Sequence, residues 1–315
     1  MSEDSLLDGA GRYVGPIVDA HHHVWDLERN HYPWLTPEIL VPHRYGDYTA
    51  MKKTYLAEDY LRDIVGHGIV ASVYMEAEWD PTDPLGETRY IEGVSERTGV
   101  PGAMVAQAWL DAPDAAEVLC AQASSPLVRS VRHKPGGPGS PAGVAAGERS
   151  LMSDERWRDG YAALEGLGLH FDLQTPWWNL PEARTLAEDF PETTLVVNHS
   201  GVLLDRDPAT VAAWRAALEE IAQAPNAVIK ASGLCVAGAA WSTELNRDVI
   251  LDMVRIFGAD RVMFGSNFPV DGMFVSYAGL LETYRDSLAG LPAADQRAVF
   301  AGTAERVYRP ARIPA

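Results

Sequence analysis

Near the start of the chain, Asp19-Ala20-His21-His22-His23-Val24-Trp25-Asp26 follows a short β-branched run. Residues two apart on an extended strand point to the same side, so His21 and His23 face one way and His22 the other. Two neutral imidazoles on one side can chelate a divalent cation, with a partner on each second ring nitrogen fixing the tautomer. The same spacing suits two hydrogen-bonded core histidines. His199, in Val196-Val197-Asn198-His199-Ser200-Gly201, ends another β-branched run. If both runs deliver their ends to one mouth, the three imidazoles share a pocket.

Further candidates stand at other strand-like runs. Glu76 ends Ile69 to Glu76 beside Glu78, and Asp172 lies in Leu169 to Leu173. Each carboxylate could do acid–base work or pair with an arginine. The run Leu127 to Arg132, followed by His133, carries Arg129 and Arg132; alternation sets Arg129 and His133 on one side and Arg132 on the other. His133 could donate to a substrate carbonyl or move a proton, and an arginine could fork onto a carboxylate. Lys230 ends Ala227 to Ala231 and is a further substrate-binding candidate. Trp34, Trp79, Trp109, Trp177 and Trp178 all follow predicted strands, where indoles can wall a ring or sugar face or pack loops onto helices.

These residues need a scaffold that gathers strand ends. Eight short β-branched runs alternate with amphipathic stretches, the clearest being Pro208 to Ala222 and Thr243 to Phe257. That count and order predict an α/β fold, a (β/α)8 TIM barrel, in which polar residues at the strand C-termini meet at one mouth. No Gly-x-Gly-x-x-Gly follows the first run, which argues against a nucleotide-binding open sheet. Two segments break the rhythm, His31 to Lys53 and the Gly/Pro-rich Lys134 to Gly147. Both are expected to be mouth loops that act as lids or substrate walls. With no repeat visible, residues 1–315 are expected to form one domain, residues 1–13 being a flexible N-terminal segment.

Composition narrows the function classes. The 315 residues are 47% hydrophobic and 22% charged, an ordinary globular balance. A formal charge of −18 repels phosphate backbones and anionic membranes, so neither nucleic acid nor membrane is expected as a partner. Cys120 and Cys235 are the only thiols, which excludes a disulfide scaffold or zinc finger. No apolar run reaches the roughly 18 residues of a membrane span, and acids stand where a signal peptide would be basic then apolar. A cytoplasmic protein acting on a small molecule is expected, with the helical exterior of a barrel available for a homodimer.

The ordered set of motifs resembles the amidohydrolase superfamily, specifically its branch of TIM-barrel hydrolases containing sugar lactonases and dicarboxylate lactonases. The matching residues are Asp19 to Asp26 with Tyr32-Pro33-Trp34-Leu35, Val131-Arg132-His133, Asn198-His199-Ser200-Gly201, Lys230 to Leu234 and Met263 to Val270. The resemblance implies a divalent metal held by His21, His23 and His199. Zinc is expected from three imidazoles, with manganese behind it. Relatives carry an acid after the eighth strand in a Gly-Ser-Asp-Trp-Pro setting, whereas this chain has Gly265-Ser266-Asn267-Phe268-Pro269. An amide offers a cation no charge and takes no proton from water near neutral pH. Either another acid substitutes (Asp271, Glu76 or Asp172), or histidines and arginines polarise the carbonyl without metal. The expected catalytic set is His133, Asn267, Asp271 and Glu76, with Arg129, Arg132, Lys230, Trp177 and Trp34 binding substrate. Lactone hydrolysis leads. The alternatives are non-oxidative decarboxylation, amide or imide hydrolysis, and a catalytically altered barrel that binds a ligand.

Overall fold

Eight runs rich in Val, Ile and Ala are buried on both faces, the condition under which parallel strands form. In this computed structural model, which describes residues 6–314, they are β1 (Ile17–His22), β2 (Ile69–Met75), β3 (Ala103–Gln107), β4 (Val128–Arg132), β5 (His170–Leu173), β6 (Leu195–Val197), β7 (Ala227–Ala231) and β8 (Val262–Phe264). Each pairs in parallel with the next in chain order. The seam between β8 and β1 is closed at the mouth, where Asn267 N donates to His21 O and His23 N to Phe268 O, both at 2.7 Å. A principal helix follows each strand: α1 (Ala57–Ile64), α2 (Gly86–Thr98), α3 (Ala115–Ala123), α4 (Glu155–Leu167), α5 (Leu180–Asp189), α6 (Pro208–Ile221), α7 (Thr243–Phe257) and α8 (Tyr277–Leu288). The architecture is the expected (β/α)8 barrel.

Local chemistry sets the helix ends. Asp154 caps α4 by accepting from Trp157 N at 3.0 Å, and Gly168 stops it in the left-handed region at φ 65°. Ser242 caps α7 through Leu245 N at 3.2 Å. The core has two layers. Val18, Ala20, Val73, Val105, Val196 and Met263 fill the barrel interior. Larger side chains such as Trp157, Phe171 and Trp214 lie between strands and helices.

The last helix, Thr303–Tyr308, seals the bottom: Val307 and Tyr308 join the interior cluster, and the tail beyond pairs Ile313 N with Val70 O at 2.8 Å. Residues 1–5 of the expected flexible N-terminal segment lie outside the described residues. The rest of it is folded: Leu7 bridges to Tyr13, and Tyr13 stacks on Phe300 at 5.0 Å. No helix among the described residues is long and apolar enough to cross a membrane.

Two local departures from ideal barrel geometry shape the mouth. In β1, Asp19 pairs with Ser72 and His22 with Tyr74, three residues against two. This one-residue bulge lets Ala20 lie inside while His21, the next residue, also faces inward. The long excursion after β1 is tied at its base, where Trp25 and Tyr55 exchange main-chain hydrogen bonds at 2.8 and 2.9 Å. That excursion folds over the mouth, as expected for His31 to Lys53. Of Lys134 to Gly147, Lys134 joins the mouth wall.

Candidate active site

The end of β1 delivers two imidazoles and the turn after β6 a third. The rings of His21 and His23 lie 5.2 Å apart and those of His21 and His199 4.4 Å apart, centre to centre. His23 Nδ1 donates to Met75 O at 2.9 Å, which leaves Nε2 as an acceptor. His199 Nδ1 meets Ser232 Oγ at 3.1 Å. Neither ring nitrogen of His21 has a hydrogen-bond partner among the described residues. Burial holds all three rings well below the usual imidazole range. Neighbouring charge adds to it: His199 and Lys230 act on His21, Arg132 on His23, and Arg44 and Arg132 on His199. His22 faces the other way, stacked on Tyr60 at 3.9 Å, with Nε2 3.1 Å from Ser72 Oγ.

His199 is held by an unusual stretch of backbone. His199, Ser200, Gly201 and Val202 have φ of 54°, 54°, 69° and 54°, a left-handed turn in which only glycine is at ease. Such conformations cost about 1–3 kcal/mol each for other residues and persist only under tertiary restraint. Trp214 Nε1 supplies one, donating to Ser200 O at 2.7 Å. Gly233, itself at φ 62°, supplies space: a Cβ there would lie 2.5 Å from His199 Nδ1 and 2.9 Å from Arg44 Nη2.

Asn267 also sits at positive φ, 55°, on the seam. Its Nδ2 donates to Asp271 Oδ1 at 2.7 Å, and Tyr45 OH donates to the same oxygen at 3.1 Å. Asn267 Oδ1 is buried without a partner. Burial pushes the Asp271 carboxyl up to about 6, against the opposing pull of Arg44. Thus the carboxylate nearest the missing aspartate stands behind Asn267, and the amide rather than the acid lines the cavity.

The other two candidate carboxylates, Glu76 and Asp172, are committed to cations. Glu76 is ion-paired with Arg132 Nε and accepts from Glu78 N at 2.8 Å. Arg132 is further fixed through Glu76 O at 2.6 Å and Gln174 Oε1 at 3.0 Å. Deeper in the barrel, Asp172 holds Lys230 Nζ at 2.8 Å and accepts from Asn198 Nδ2 at 2.7 Å and from Tyr308 OH at 2.9 and 2.8 Å. Lys134 pairs with Glu78 at the rim.

A cavity of about 350 Å³ lies over these groups, with His23, His199, Asn267, Arg44, Arg132 and Lys134 on its wall. Arg44 was not anticipated from the sequence. Its guanidinium lies 4.6 Å over the Tyr45 ring, and Nη1 is buried without a partner. The only hint was its place among aromatics in a long mouth loop. A second cavity of about 500 Å³ adjoins the first across Arg132 and is lined by Trp34, Trp79, Trp109, Gln107 and His133. His133 Nδ1 accepts from Leu110 N at 3.1 Å and Trp157 Nε1 at 2.9 Å, so its proton is on Nε2.

Not every expected residue reaches the site. Arg129 sits at the start of β4, the far end from the mouth, with Nη1 donating to Pro126 O and Val128 O. Trp177 is buried against the left-handed turn rather than on either cavity wall, packed edge-on to Trp178 at 5.4 Å. Lys230 is fully buried, paired with Asp172, and lines neither cavity. No three His, Cys, Asp or Glu side chains among the described residues are arranged to enclose a metal ion. The imidazole trio is therefore a set of donors rather than a formed centre.

A family model described as amidohydrolase matches residues 18–309, nearly the whole barrel. The chain belongs to the amidohydrolase family. This amidohydrolase is 36% identical to a Sinorhizobium fredii protein named uncharacterized protein y4mH, over 93% of this chain and 98% of that one. It is 29% identical to the L-fucono-1,5-lactonase of Burkholderia multivorans, over 92% of this chain and 95% of the relative. A solved amidohydrolase from Burkholderia multivorans with bound zinc shares the fold at TM-score 0.76 and 24% identity, covering 94% of this chain and 100% of that one.

Proposed function

We propose that this amidohydrolase opens a small lactone, carboxylated or polyhydroxylated, by attack of water on the ring ester. The observation that carries the reading is the meeting of neutral imidazoles, His23 and His199, with the guanidiniums of Arg44 and Arg132 around one cavity. Water attack builds negative charge on the carbonyl oxygen, and preorganised cationic donors stabilise it as it forms. The new bond joins water oxygen to the carbonyl carbon. The ring C–O bond then breaks, and the departing alkoxide takes up a proton to give a hydroxy acid. The lactonase name of a relative 29% identical to this chain supports the same chemistry.

His21, His23 and His199 would hold a divalent cation, with zinc the best match to three neutral nitrogens. The two unpartnered nitrogens of His21 and the free Nε2 of His23 are donors of the right kind. Bound there, such an ion would polarise the carbonyl and acidify the attacking water. The chain's own residues do the rest. Arg132, pinned by Glu76 and Gln174, presents fixed N–H donors, while Arg44, whose Nη1 has no partner among the described residues, offers a second guanidinium on the same wall.

A second reading dispenses with the ion, and Asn267 favours it: an amide stands where an acid would offset the metal's charge, and Arg44, Arg132 and Lys230 all bear on the histidines. In that reading a neutral imidazole takes the water's proton. Elemental analysis of protein purified without added metal, with lactone turnover before and after chelation, separates the two. Near-stoichiometric zinc with chelation-sensitive turnover supports the first, and metal-free turnover the second. Failure to open any lactone with zinc restored sinks both; release of carbon dioxide from a carboxylated aromatic would then identify a decarboxylase. The charge of −18 leaves a small molecule as the expected partner, with neither nucleic acid nor membrane.

A further inference from the structure

Resting on the lactonase reading, we propose that the cavity on the far side of Arg132 is a second substrate subsite. It would take a planar aryl group with a polar edge, joined to the carbonyl held in the first cavity. The two spaces share Trp34, Val41, Glu78, Arg132 and Lys134, so one molecule can occupy both by passing Arg132. Three half-buried indoles, Trp34, Trp79 and Trp109, supply flat faces around it. Two are held in place by the protein itself. Trp34 Nε1 donates to Ala77 O at 2.8 Å, and Trp79 packs edge-on to Tyr32 at 5.2 Å. Their orientation does not wait for a ligand, which lowers the ordering cost of binding.

An independent observation points to a ligand with a hydrogen-bonding edge. Gln107 is only 6% exposed, yet its Oε1 has no partner among the described residues. A buried amide oxygen is normally satisfied, and a donor on the substrate would satisfy this one. His133, with its proton on Nε2, offers a complementary donor on the same wall. Gln107, His133 and the charged side chains shared with the first cavity could receive some polar groups, but a polyol would also turn hydroxyls onto the indoles, Pro33, Pro81 and Val41, which could receive none. A single aryl ring with one or two polar substituents matches the inventory, which selects among the lactones left open above.

The test compares 3,4-dihydrocoumarin, a six-membered lactone fused to a phenyl ring, with δ-valerolactone, which lacks the ring. After correction for their alkaline hydrolysis rates, kcat/KM should favour dihydrocoumarin by about tenfold, and Trp109→Leu should cost at least about five times more on it than on valerolactone. Turnover without that preference, or an equal loss on both, overturns the subsite and leaves lactone hydrolysis standing. If neither lactone opens, calorimetry with the ring-opened acids decides. Tighter binding of 3-(2-hydroxyphenyl)propanoate than of 5-hydroxypentanoate, with the margin lost in Trp109→Leu, keeps the subsite while the lactonase reading falls. Equal affinity, or none for either acid, overturns the subsite. Should Trp109→Leu fail to fold by circular dichroism, Trp79→Leu takes its place with the same criteria.

Discussion

Asp271 is a carboxyl kept off the reaction surface by a single amide. Its pKa is raised to about 6 chiefly by burial, so the folded protein holds this proton more tightly than the unfolded chain does. The stability linked to it is complete below the ordinary carboxylate value and is lost as pH rises through about 6, a change of ~3 kcal/mol. Asp271→Asn removes that titration. The melting temperature of the variant minus that of the wild type should grow more positive by several degrees between about pH 4 and pH 8; a flat difference would refute the assignment. At this scale the sequence was informative where chemistry and strand ends coincide. His21, His23 and His199 are drawn together as their positions implied, and Asn267 announced itself by standing in an acid's place. Arg129 and Arg132 were indistinguishable by type, but three residues along one strand separate the bottom of a barrel from its mouth. For Glu76 the sequence left acid–base work and an arginine pair both open, and the fold shows the pair, with Arg132.

The turns that follow strands do the positioning. Most revealing is the pair formed by the left-handed turn at His199 and the glycine at 233 facing it. Gly233→Ala would force a methyl group against His199 Nδ1 and the Arg44 guanidinium at a φ unfavourable to alanine. The expected result is a loss of ~1–3 kcal/mol in stability and a fall in kcat/KM of about tenfold or more. Thermal unfolding and lactone kinetics on the same preparation check it; unchanged kinetics would mean that His199 is not held by this contact. The eight strands and their helices were legible because buried parallel strands leave short β-branched runs and the helices between them keep an amphipathic period, as in Pro208 to Ala222 and Thr243 to Phe257. The bulge in β1 was not, since inserting one residue leaves no mark on composition. Nor was the role of Arg44: the excursion after β1 was expected at the mouth, but which of its side chains enters the site is set by long-range folding.

For the molecule as a whole, the contrast lies between a surface of formal charge −18 and a mouth bearing Arg44, Arg132 and Lys134. Distant repulsion is screened by salt more than contacts inside a cleft are. Raising ionic strength from about 20 to about 200 mM should therefore increase kcat/KM for a carboxylated lactone and leave a neutral one unaffected. A decrease would show that the mouth's own field governs encounter. The floor of the barrel has a different implication, for how the mouth is held from below. Tyr308 plugs the interior and reaches Asp172, which in turn grips Lys230 below the histidines, and the strap to Val70 comes later still. The support of the mouth thus lies at the opposite end of the barrel from the chemistry. Tyr308→Phe would loosen that support from below without altering a single residue of the mouth.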